Sequence, residues 1–292
     1  MSTSRVVGLN LHPVKSCAIR PVEVATVERA GFAGDRRWMV VDSDGKLVSA
    51  REEHRLFSIV PDTAETSSDM TRGLRLHAPD VDDLLVSSAP GPEISVRLHR
   101  HDLSGSLVSR EADEWVSTVV GRSGLRLVRC PDPTARALNP DFSAEGDHTA
   151  YADGYPVTLA SRASLARLNE WIAQGAVERG DEAPPPLPME RFRPNVVIDG
   201  DLEAFVEDSW SRVRLGGVSF RVAKPVDRCV MTTIDLADLE TGKEPIRTLA
   251  RHRRWDGATW FAIHLIPDGT GEVHVGDEVL VDQVRRSRPA PA

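Results

Sequence analysis

A single cysteine stands beside a charged pair in the stretch KPVDRCVMTTID, over residues 224–235. Cys229 directly follows Asp227 and Arg228, and an apolar, β-branched run comes after it. A neighbouring cation favours the thiolate form of a cysteine, and a thiolate is both a nucleophile and a soft metal ligand. Cysteine is also among the most frequently buried residue types. Cys229 is therefore either a small core residue or a chemically active thiol, and these residues alone leave both interpretations open.

Three further stretches place cationic side chains beside tight turns. Lys15 and Ser16 lie in HPVKSC, Arg36 lies in GFAGDRRW, and Arg193 and Asn195 lie in RFRPNVVIDG. Guanidinium groups form bidentate hydrogen bonds with phosphate, and an ammonium group adds a point charge. Each stretch alone is also compatible with a surface ion pair, and their spacing does not show that they meet in space. Taken together, they indicate an anion-binding site.

The composition indicates a globular protein without general affinity for polyanions. The chain has 292 residues, of which 40% are hydrophobic and 27% charged, and its formal net charge is −8. This length suits one large domain or two ordinary ones, and the negative charge argues against nucleic acid or anionic membrane as a partner. No window approaches 18 apolar residues, and the N-terminus lacks the pattern of a signal peptide, so we expect no membrane span.

The three cysteines, Cys17, Cys130 and Cys229, are odd in number and far apart. This pattern argues against a disulfide framework and favours a reducing compartment, so we expect a cytoplasmic protein. The sequence has no CxxC motif and no cysteine cluster, which argues against structural zinc and against an iron–sulfur centre. We expect Cys17 and Cys130 to be core residues.

Two helices stand out from the pattern of apolar residues. The stretch SREADEWVSTVVG predicts a helix that Ser109 caps and Gly121 ends. The stretch SRASLARLNEWIAQG predicts a second helix, which Ser161 or Ser164 caps and Gly175 ends.

The other predicted elements are short strands, including a hairpin that turns at residues 43–45. Residues 131–156 are rich in Pro, Asp and Gly but also carry aromatic side chains, so we expect an ordered crossing between two halves. The predicted fold class is α+β and predominantly β, with two β-barrel-like domains and a few packed helices. We expect the domains at residues 1–125 and 126–285, followed by a disordered tail at 286–292.

Eight short motifs then occur in order, namely LHPVKSC, GDRRWMVVD, SAREEHRL, FRPNVVIDG, EDSW, DRCVMTTID, TGKEPIRTL and VGDEVLV. With these motifs the chain resembles, from residue 5 to residue 282, the MOSC-domain family with an N-terminal MOSC β-barrel domain. Within that family it is most similar to the mitochondrial amidoxime-reducing component and its bacterial relatives. The resemblance implies that residues 1–125 form the N-terminal β-barrel domain and residues 126–285 the MOSC domain.

The resemblance implies a molybdenum cofactor, in which a pterin carries a dithiolene and a phosphate. In the family a single cysteine binds molybdenum, and it lies in a motif that matches RCVMTTID, so Cys229 takes the roles of metal ligand and catalytic residue. Asp227 departs from the family, which often has a cysteine or serine just before this motif, and its carboxylate could change substrate or pterin contacts. The positions that match cofactor-binding or site-lining residues are Lys15, Ser16, Arg36, Ser161, Arg193, Asn195 and Arg228.

The resemblance also implies an enzyme that reduces N-hydroxylated compounds, such as amidoximes and hydroxylamines. Electrons would come from a separate partner, either a ferredoxin-like protein or a flavoprotein reductase. Two alternatives stay open. The chain could be a molybdenum-cofactor or sulfur carrier, with a persulfide on Cys229, or a β-barrel interaction module without a cofactor. Metal content and turnover of benzamidoxime discriminate among the three.

Overall fold

The computed structural model describes residues 4–87 and 89–284, which fall into two compact units. The first, which we call the barrel unit, comprises residues 4–9, 23–28 and 157–284. The second, which we call the half-barrel unit, comprises the described residues of 10–22 and 29–156. The chain therefore passes between the units more than once. The boundary expected after residue 125 stays a prediction, and the tail expected at 286–292 lies outside the described residues.

The described residues form nineteen strands and three α-helices. In chain order these elements are β1 (Ser4–Leu11), β2 (Arg20–Val22), β3 (Val24–Glu28), β4 (Gly31–Phe32), β5 (Trp38–Val41), β6 (Val60–Asp62), β7 (Leu74–Ala78), β8 (Val81–Val86), β9 (Glu93–Leu98), β10 (His101–Leu107), α1 (Arg110–Val120), β11 (Arg126–Arg129), β12 (Val157–Ser161), α2 (Arg162–Glu178), β13 (Val196–Asp199), β14 (Trp210–Leu215), β15 (Val218–Asp227), α3 (Ile246–His252), β16 (Arg254–Trp255), β17 (Ala258–Pro267), β18 (Gly271–His274) and β19 (Glu278–Val284).

The barrel unit is built on a closed ring of seven strands. Around the ring the order is β12, β13, β1, β19, β14, β15 and β17, and β17 then pairs back with β12. Strands β12 and β13 are parallel, and α2 provides the crossover that a parallel pair requires. Closure leaves none of these seven strands at an open edge, so the connecting loops extend from a rigid frame.

Helix α2 packs against this ring through an apolar stripe. Leu168 and Ile172 are buried in a cluster that includes Phe261 of β17. The helix begins after Ser161, as predicted, but it continues past the predicted end at Gly175 to Glu178. Ala176 lies one turn beyond Ile172 and is buried, so the apolar stripe extends past the glycine and keeps the helix intact. The short helix α3 was not predicted.

The half-barrel unit contains a four-stranded antiparallel sheet in the order β5, β11, β10, β9 and a three-stranded sheet in the order β6, β7, β8. Helix α1 is capped by Ser109, whose hydroxyl accepts from the Ala112 amide at 3.0 Å, and it ends at Gly121, where φ is +78°. Both predicted ends are confirmed. The predicted hairpin is also confirmed, because the Val48 amide donates to the Val40 carbonyl at 2.9 Å.

These features confirm the predicted fold class, which is α+β and predominantly β, with barrel-like halves and few helices. In the part of the chain that the structure describes, no helix combines the length and the apolar character needed to cross a bilayer.

Candidate functional site

Cys229 lies at the start of a tight turn that follows β15, and we call residues 228–235 the cysteine turn. The Cys229 carbonyl accepts hydrogen bonds from the Thr232 amide at 3.2 Å and from the Thr232 hydroxyl at 3.0 Å. The preceding residue is tied to β17 in both directions. The Arg228 amide donates to the Thr259 carbonyl at 2.8 Å, and the Arg228 carbonyl accepts from Thr259 Oγ1 at 3.1 Å. Hydrogen bonds on both sides therefore fix the backbone of Cys229.

The three cysteines differ in exposure. Cys17 and Cys130 are 0% and 4% exposed, whereas Cys229 is partly exposed. All three lie in described segments, and none is in a disulfide. Cys130 packs in the core of the half-barrel unit, and burial raises the pKa of its thiol. The core interpretation is therefore confirmed for Cys17 and Cys130, and Cys229 is the cysteine that a bound molecule can reach.

The Arg228 guanidinium connects the cysteine turn to the segment that carries Arg193. Its Nε donates to the Phe261 carbonyl at 2.8 Å, and its Nη1 donates to the Phe192 carbonyl at 3.0 Å. The same two aromatic rings lie within cation–π range, at 5.9 and 5.6 Å. A bulge in β17 at Ala262, where φ is +71°, leaves the Phe261 carbonyl outside the regular ladder.

A second arginine makes the opposite connection. Arg191 lies in the 3₁₀ turn Met189–Phe192, and its side chain is 5% exposed. Its Nε donates to the Thr232 carbonyl at 2.9 Å, and its Nη1 donates to Asp235 Oδ2 at 3.1 Å. Arg228 and Arg191 thus donate in opposite directions and hold the two segments together. Nothing in the local sequence marks Arg191 as a site residue, because its partners are distant in the chain.

Asn195 fixes the point where β13 begins. The residue is fully buried, and its amide donates to the Thr158 carbonyl at 2.8 Å. In return, Asn195 Oδ1 accepts from the Thr158 amide at 3.1 Å. Arg193, two residues earlier, is therefore held just before the chain enters the ring, and its own amide donates to the Glu190 carbonyl at 3.0 Å.

Ser161 lies at the far end of β12 from these groups. Its hydroxyl accepts from the Ser164 amide at 3.0 Å as the cap of α2, and the side chain is 0% exposed. Three residues separate Ser161 from Thr158, which corresponds to about 10 Å along a strand. The Ser161 hydroxyl is therefore not brought to Asn195 and Arg193, and its assignment to the cofactor stays a prediction.

In the half-barrel unit, Lys15 is 4% exposed and held in place by three hydrogen bonds. Its Nζ donates to the Tyr151 carbonyl at 2.9 Å and to Asp153 Oδ1 at 2.7 Å, and its amide donates to the Trp38 carbonyl at 2.8 Å. Burial lowers the pKa of Lys15 to about 8, although the attraction of Asp153 raises it. The ammonium group is therefore a fixed cation at neutral pH.

Several other basic side chains converge on the loop that binds Lys15. Asp153 Oδ1 lies 2.9 Å from His99 Nε2, and Asp153 Oδ2 lies 3.7 Å from Arg51 Nη2. Arg136 is 4% exposed and donates to three carbonyl oxygens within residues 150–153. Cations outnumber the carboxylate here, which suits an anionic ligand. Asp153 and Arg136 lie in a loop without periodic pattern, so no local signal identifies them.

Arg36 belongs to the same hydrogen-bonded network as Lys15. Its amide donates to the His12 carbonyl at 2.8 Å, and its carbonyl accepts from the Tyr151 amide at 3.1 Å. The Arg36 guanidinium donates to Asp35. Although burial raises it, the pKa of Asp35 is held at about 2 by the charge of Arg36 and the hydrogen bonds from His12. The structure thus brings Lys15 and Arg36 together around Tyr151.

Three of the predicted site residues have a left-handed backbone. The φ angles of Ser16, Arg36 and Arg193 are +69°, +48° and +49°. For a residue other than glycine this conformation costs about 1–3 kcal/mol, and it persists only where the surrounding structure imposes it. Strained positions of this kind cluster at ligand-binding sites. These three residues are among nine described non-glycine positions with positive φ, and the surrounding structure holds this unfavourable backbone at each of them.

Two protein-family models match the chain, the MOSC N-terminal beta barrel domain at residues 3–123 and the MOSC domain at residues 146–280. The mitochondrial amidoxime-reducing component 1 of Mus musculus is 31% identical over 296 residues, which cover 94% of this chain and 82% of the relative. The chain belongs to the MOSC-domain family. The mitochondrial amidoxime reducing component 2 of Homo sapiens is 30% identical over 299 residues, with the same coverage. Among solved structures, the YUAD protein from Bacillus subtilis aligns with 96% of this chain and 97% of its own at 14% identity and a TM-score of 0.40.

The MOSC-domain match includes the cysteine turn, and the N-terminal match includes Lys15 and Arg36. Lys15, from the N-terminal match, binds Asp153, which belongs to the MOSC-domain match, although both residues lie in the half-barrel unit. The two family domains are therefore joined, inside one compact unit, by an ion pair whose lysine is buried and whose aspartate is half exposed. Within the residues described, no cluster of three or more His, Cys, Asp or Glu side chains could hold a metal ion.

Proposed function

We propose that this MOSC protein is a molybdenum-cofactor-dependent enzyme that reduces N-hydroxylated compounds, such as amidoximes and hydroxylamines. Two relatives, about 30% identical, are named for amidoxime reduction, and we extend that activity to this chain. The observation that carries it is the setting of Cys229. This partly exposed thiol lies in a turn that two arginines, Arg228 and Arg191, hold against the segment of Arg193.

The residues present fit a cofactor that combines a metal, a dithiolene and a phosphate. Cys229 offers a soft sulfur ligand, which suits a metal that dithiolene sulfur also binds. Lys15, Arg36 and Arg193 each carry a cationic group of the kind that binds phosphate. When bound, the cofactor supplies the redox chemistry that removes oxygen from an N–O bond. The proposed cofactor-binding set is Lys15, Ser16, Arg36, Ser161, Arg193, Asn195 and Arg228.

Within this proposal the chain's own residues bind and orient. Cys229 presents its sulfur from a backbone that hydrogen bonds with Thr232 and Thr259 hold in place. Lys15 keeps its charge below pH 8 and so holds an anion at neutral pH. Within the cofactor-binding set, Arg228 and Asn195 also donate to or accept from the protein itself, and these hydrogen bonds keep the binding segments in place.

The proposal also covers the partners and the location. A separate ferredoxin-like protein or flavoprotein reductase donates the electrons, and the substrate is a small N-hydroxylated compound. The odd number and wide separation of the cysteines favour a reducing compartment, and we place the reaction in the cytoplasm.

The test is expression in a host that makes the cofactor, followed by measurement of molybdenum, pterin and benzamidoxime reduction with a chemically reduced dye. We expect stoichiometric molybdenum and formation of benzamidine. Protein that takes up no molybdenum contradicts the proposal. Protein that carries the cofactor but never reduces benzamidoxime also contradicts it and favours the carrier function.

A further inference from the structure

We propose that Arg191 is a positioning residue, which holds the cysteine turn against residues 189–195 and thereby sets where the Cys229 thiol lies. The effect of this positioning on cofactor loading rests on the proposed function. The positioning itself is a property of the folded chain and can be tested without the cofactor.

Two linked contacts carry the effect from Arg191 to Cys229. The Arg191 guanidinium donates to the Thr232 carbonyl at 2.9 Å. The amide and hydroxyl of the same Thr232 donate to the Cys229 carbonyl at 3.2 and 3.0 Å. Thr232 is therefore bound on one side by Arg191 and on the other by Cys229. Any shift of Thr232 that follows loss of Arg191 is transmitted directly to the backbone of the cysteine.

Hydrogen bonds join the two segments in both directions, so they restrict the orientation of the cysteine turn as well as its distance from residues 189–195. Arg191 donates from residues 189–195 into the cysteine turn, and Arg228 donates from the cysteine turn to the Phe192 carbonyl at 3.0 Å. One hydrogen bond between two segments leaves them free to pivot, whereas two in opposite directions restrict that motion. Functional groups need to be held within about 0.5 Å of their productive positions. Loss of one of the two hydrogen bonds is therefore expected to displace the Cys229 thiol enough to matter.

The carbonyl contact matters more than the ion pair of Arg191 with Asp235. The Asp235 side chain is 49% exposed, and pairs with a solvated partner contribute little. The guanidinium, in contrast, is almost fully buried. If its hydrogen bond to Thr232 is lost, no water can take the place of Thr232, so this contact contributes more. We therefore expect Asp235→Asn to disturb the turn less than replacement of Arg191.

The experiment uses the full chain made in a host that lacks the cofactor. The rate of iodoacetamide modification at Cys229 is followed by mass spectrometry for the wild type, Arg191→Lys and Asp235→Asn. Lysine keeps the charge but presents its donors from a single nitrogen, so it cannot reproduce the fork by which Nε reaches the Thr232 carbonyl and Nη1 reaches Asp235. We expect Arg191→Lys to speed modification of Cys229 at least about tenfold, the factor expected from loss of one hydrogen bond to a charged group. Cys17 and Cys130 are buried and report unfolding if they become modified.

Arg253 provides a matched control in the same unit. It is also buried, and its guanidinium also donates to one carbonyl, that of Trp260 at 3.1 Å, and to one carboxylate, that of Asp208. It makes neither of the contacts that join Arg191 to Cys229. Arg253 reaches the cysteine turn indirectly, through Trp260, the neighbour of Thr259 and Phe261, so we expect Arg253→Lys to speed modification of Cys229 clearly less than Arg191→Lys does.

Equal acceleration by Arg191→Lys and Arg253→Lys overturns the proposal, because loss of any buried arginine then has the same effect. An unchanged rate in Arg191→Lys also overturns it. If the lysine variant does not fold, Arg191→Gln is judged by the same tenfold criterion. The molybdenum content of the wild type and the variants, made in a host that synthesises the cofactor, is measured in a separate experiment. If the wild type takes up no molybdenum, the proposed function fails, while the modification rates still decide the role of Arg191.

Discussion

The ammonium group of Lys15 lies 2.7 Å from Asp153 Oδ1, in a position where the lysine side chain is 5% exposed. Burial outweighs the attraction of the carboxylate, so the pKa of Lys15 is about 8 rather than its usual 10.5. The protonated lysine that an anion needs is therefore held at a cost to the stability of the folded chain. This cost is a measurable consequence of the site.

The stability of the chain should rise with pH in the range where Lys15 titrates. Between about pH 8 and pH 10.5 the unfolded chain binds more protons at this residue than the folded chain, so the free energy of unfolding increases with pH. Relative to Lys15→Met, the wild type should gain up to about 3 kcal/mol over this range. Urea denaturation of both proteins at neutral and alkaline pH measures the difference. Lys46→Met, a replacement at an exposed site that keeps Lys15, should follow the wild type at both pH values, and parallel pH profiles for the wild type and Lys15→Met contradict the prediction.

Glu207 should make stability fall as pH rises through the mildly acidic range. It is 0% exposed, its Oε1 accepts from Ser164 Oγ at 2.6 Å, and burial raises its pKa to about 6 from 4.5. Between these values the folded chain binds more protons than the unfolded chain, so stability is fully present below pH 4.5 and declines until about pH 6. The stability of Glu207→Gln relative to the wild type should therefore rise by up to about 2 kcal/mol from pH 4.5 to pH 7.

Chemical denaturation at both pH values checks this prediction. Glu203→Gln, an exposed glutamate in the same loop, is the matched control and should follow the wild type at both values. A difference between Glu207→Gln and the wild type that does not change with pH would show that Glu207 does not titrate as described.

Loss of either proposed phosphate-binding cation should reduce cofactor occupancy without unfolding the chain. Each hydrogen bond to a charged group contributes about 1.5–3 kcal/mol, so Lys15→Ala and Arg193→Ala should each weaken pterin binding by roughly tenfold or more. Pterin content, measured by fluorescence after oxidative release, reports the occupancy. Arg162→Ala removes an exposed arginine that pairs with Asp199 and should leave occupancy unchanged. Full occupancy in both Lys15→Ala and Arg193→Ala removes the basis for the assignment.

Electron supply should depend on a second protein. The three cysteines of the chain do not form a cluster motif for an iron–sulfur centre, so we expect no reduction of benzamidoxime by the purified protein with NADH alone. Addition of a flavoprotein reductase and a small redox carrier should restore it. Turnover with NADH alone would contradict this prediction, because the chain would then have to accept electrons from NADH through a redox centre of its own.

Local signals explain which parts of the fold could be predicted. The ends of α1 follow from Ser109 and Gly121, because a capping hydroxyl and a left-handed glycine act on adjacent backbone groups. The predicted end of α2 at Gly175 was wrong, because burial of Ala176 is a tertiary effect that no local signal at Gly175 reveals. Closure of the ring between β12 and β17 joins strands about a hundred residues apart, and a single sequence does not specify that pairing.

The candidate site residues also divide into those with a local signal in the sequence and those that depend on distant contacts. Motifs predicted Cys229, Lys15 and Arg193 as candidate site residues, because each stands beside a turn or proline that is visible in the sequence. Arg191 and Arg136 were not identified, since their roles depend on partners 41 and 14–17 residues away that bury them. A charged residue in an irregular loop is exposed unless such partners exist, and only the folded chain provides them.

The most direct test of the account is benzamidoxime reduction by Cys229→Ser beside Cys17→Ser and Cys130→Ser. Serine is close to cysteine in size, so a core cysteine would lose little volume and the cost would be about 1–3 kcal/mol for a buried hydroxyl. A ligand cysteine would lose its soft sulfur, and a neutral hydroxyl is a poor replacement. We predict that Cys229→Ser stays folded and loses reduction almost completely, while the other two variants keep most of it. Wild-type turnover by Cys229→Ser together with loss of activity in Cys17→Ser would contradict the account, because the metal would then be bound by the thiol of the HPVKSC turn.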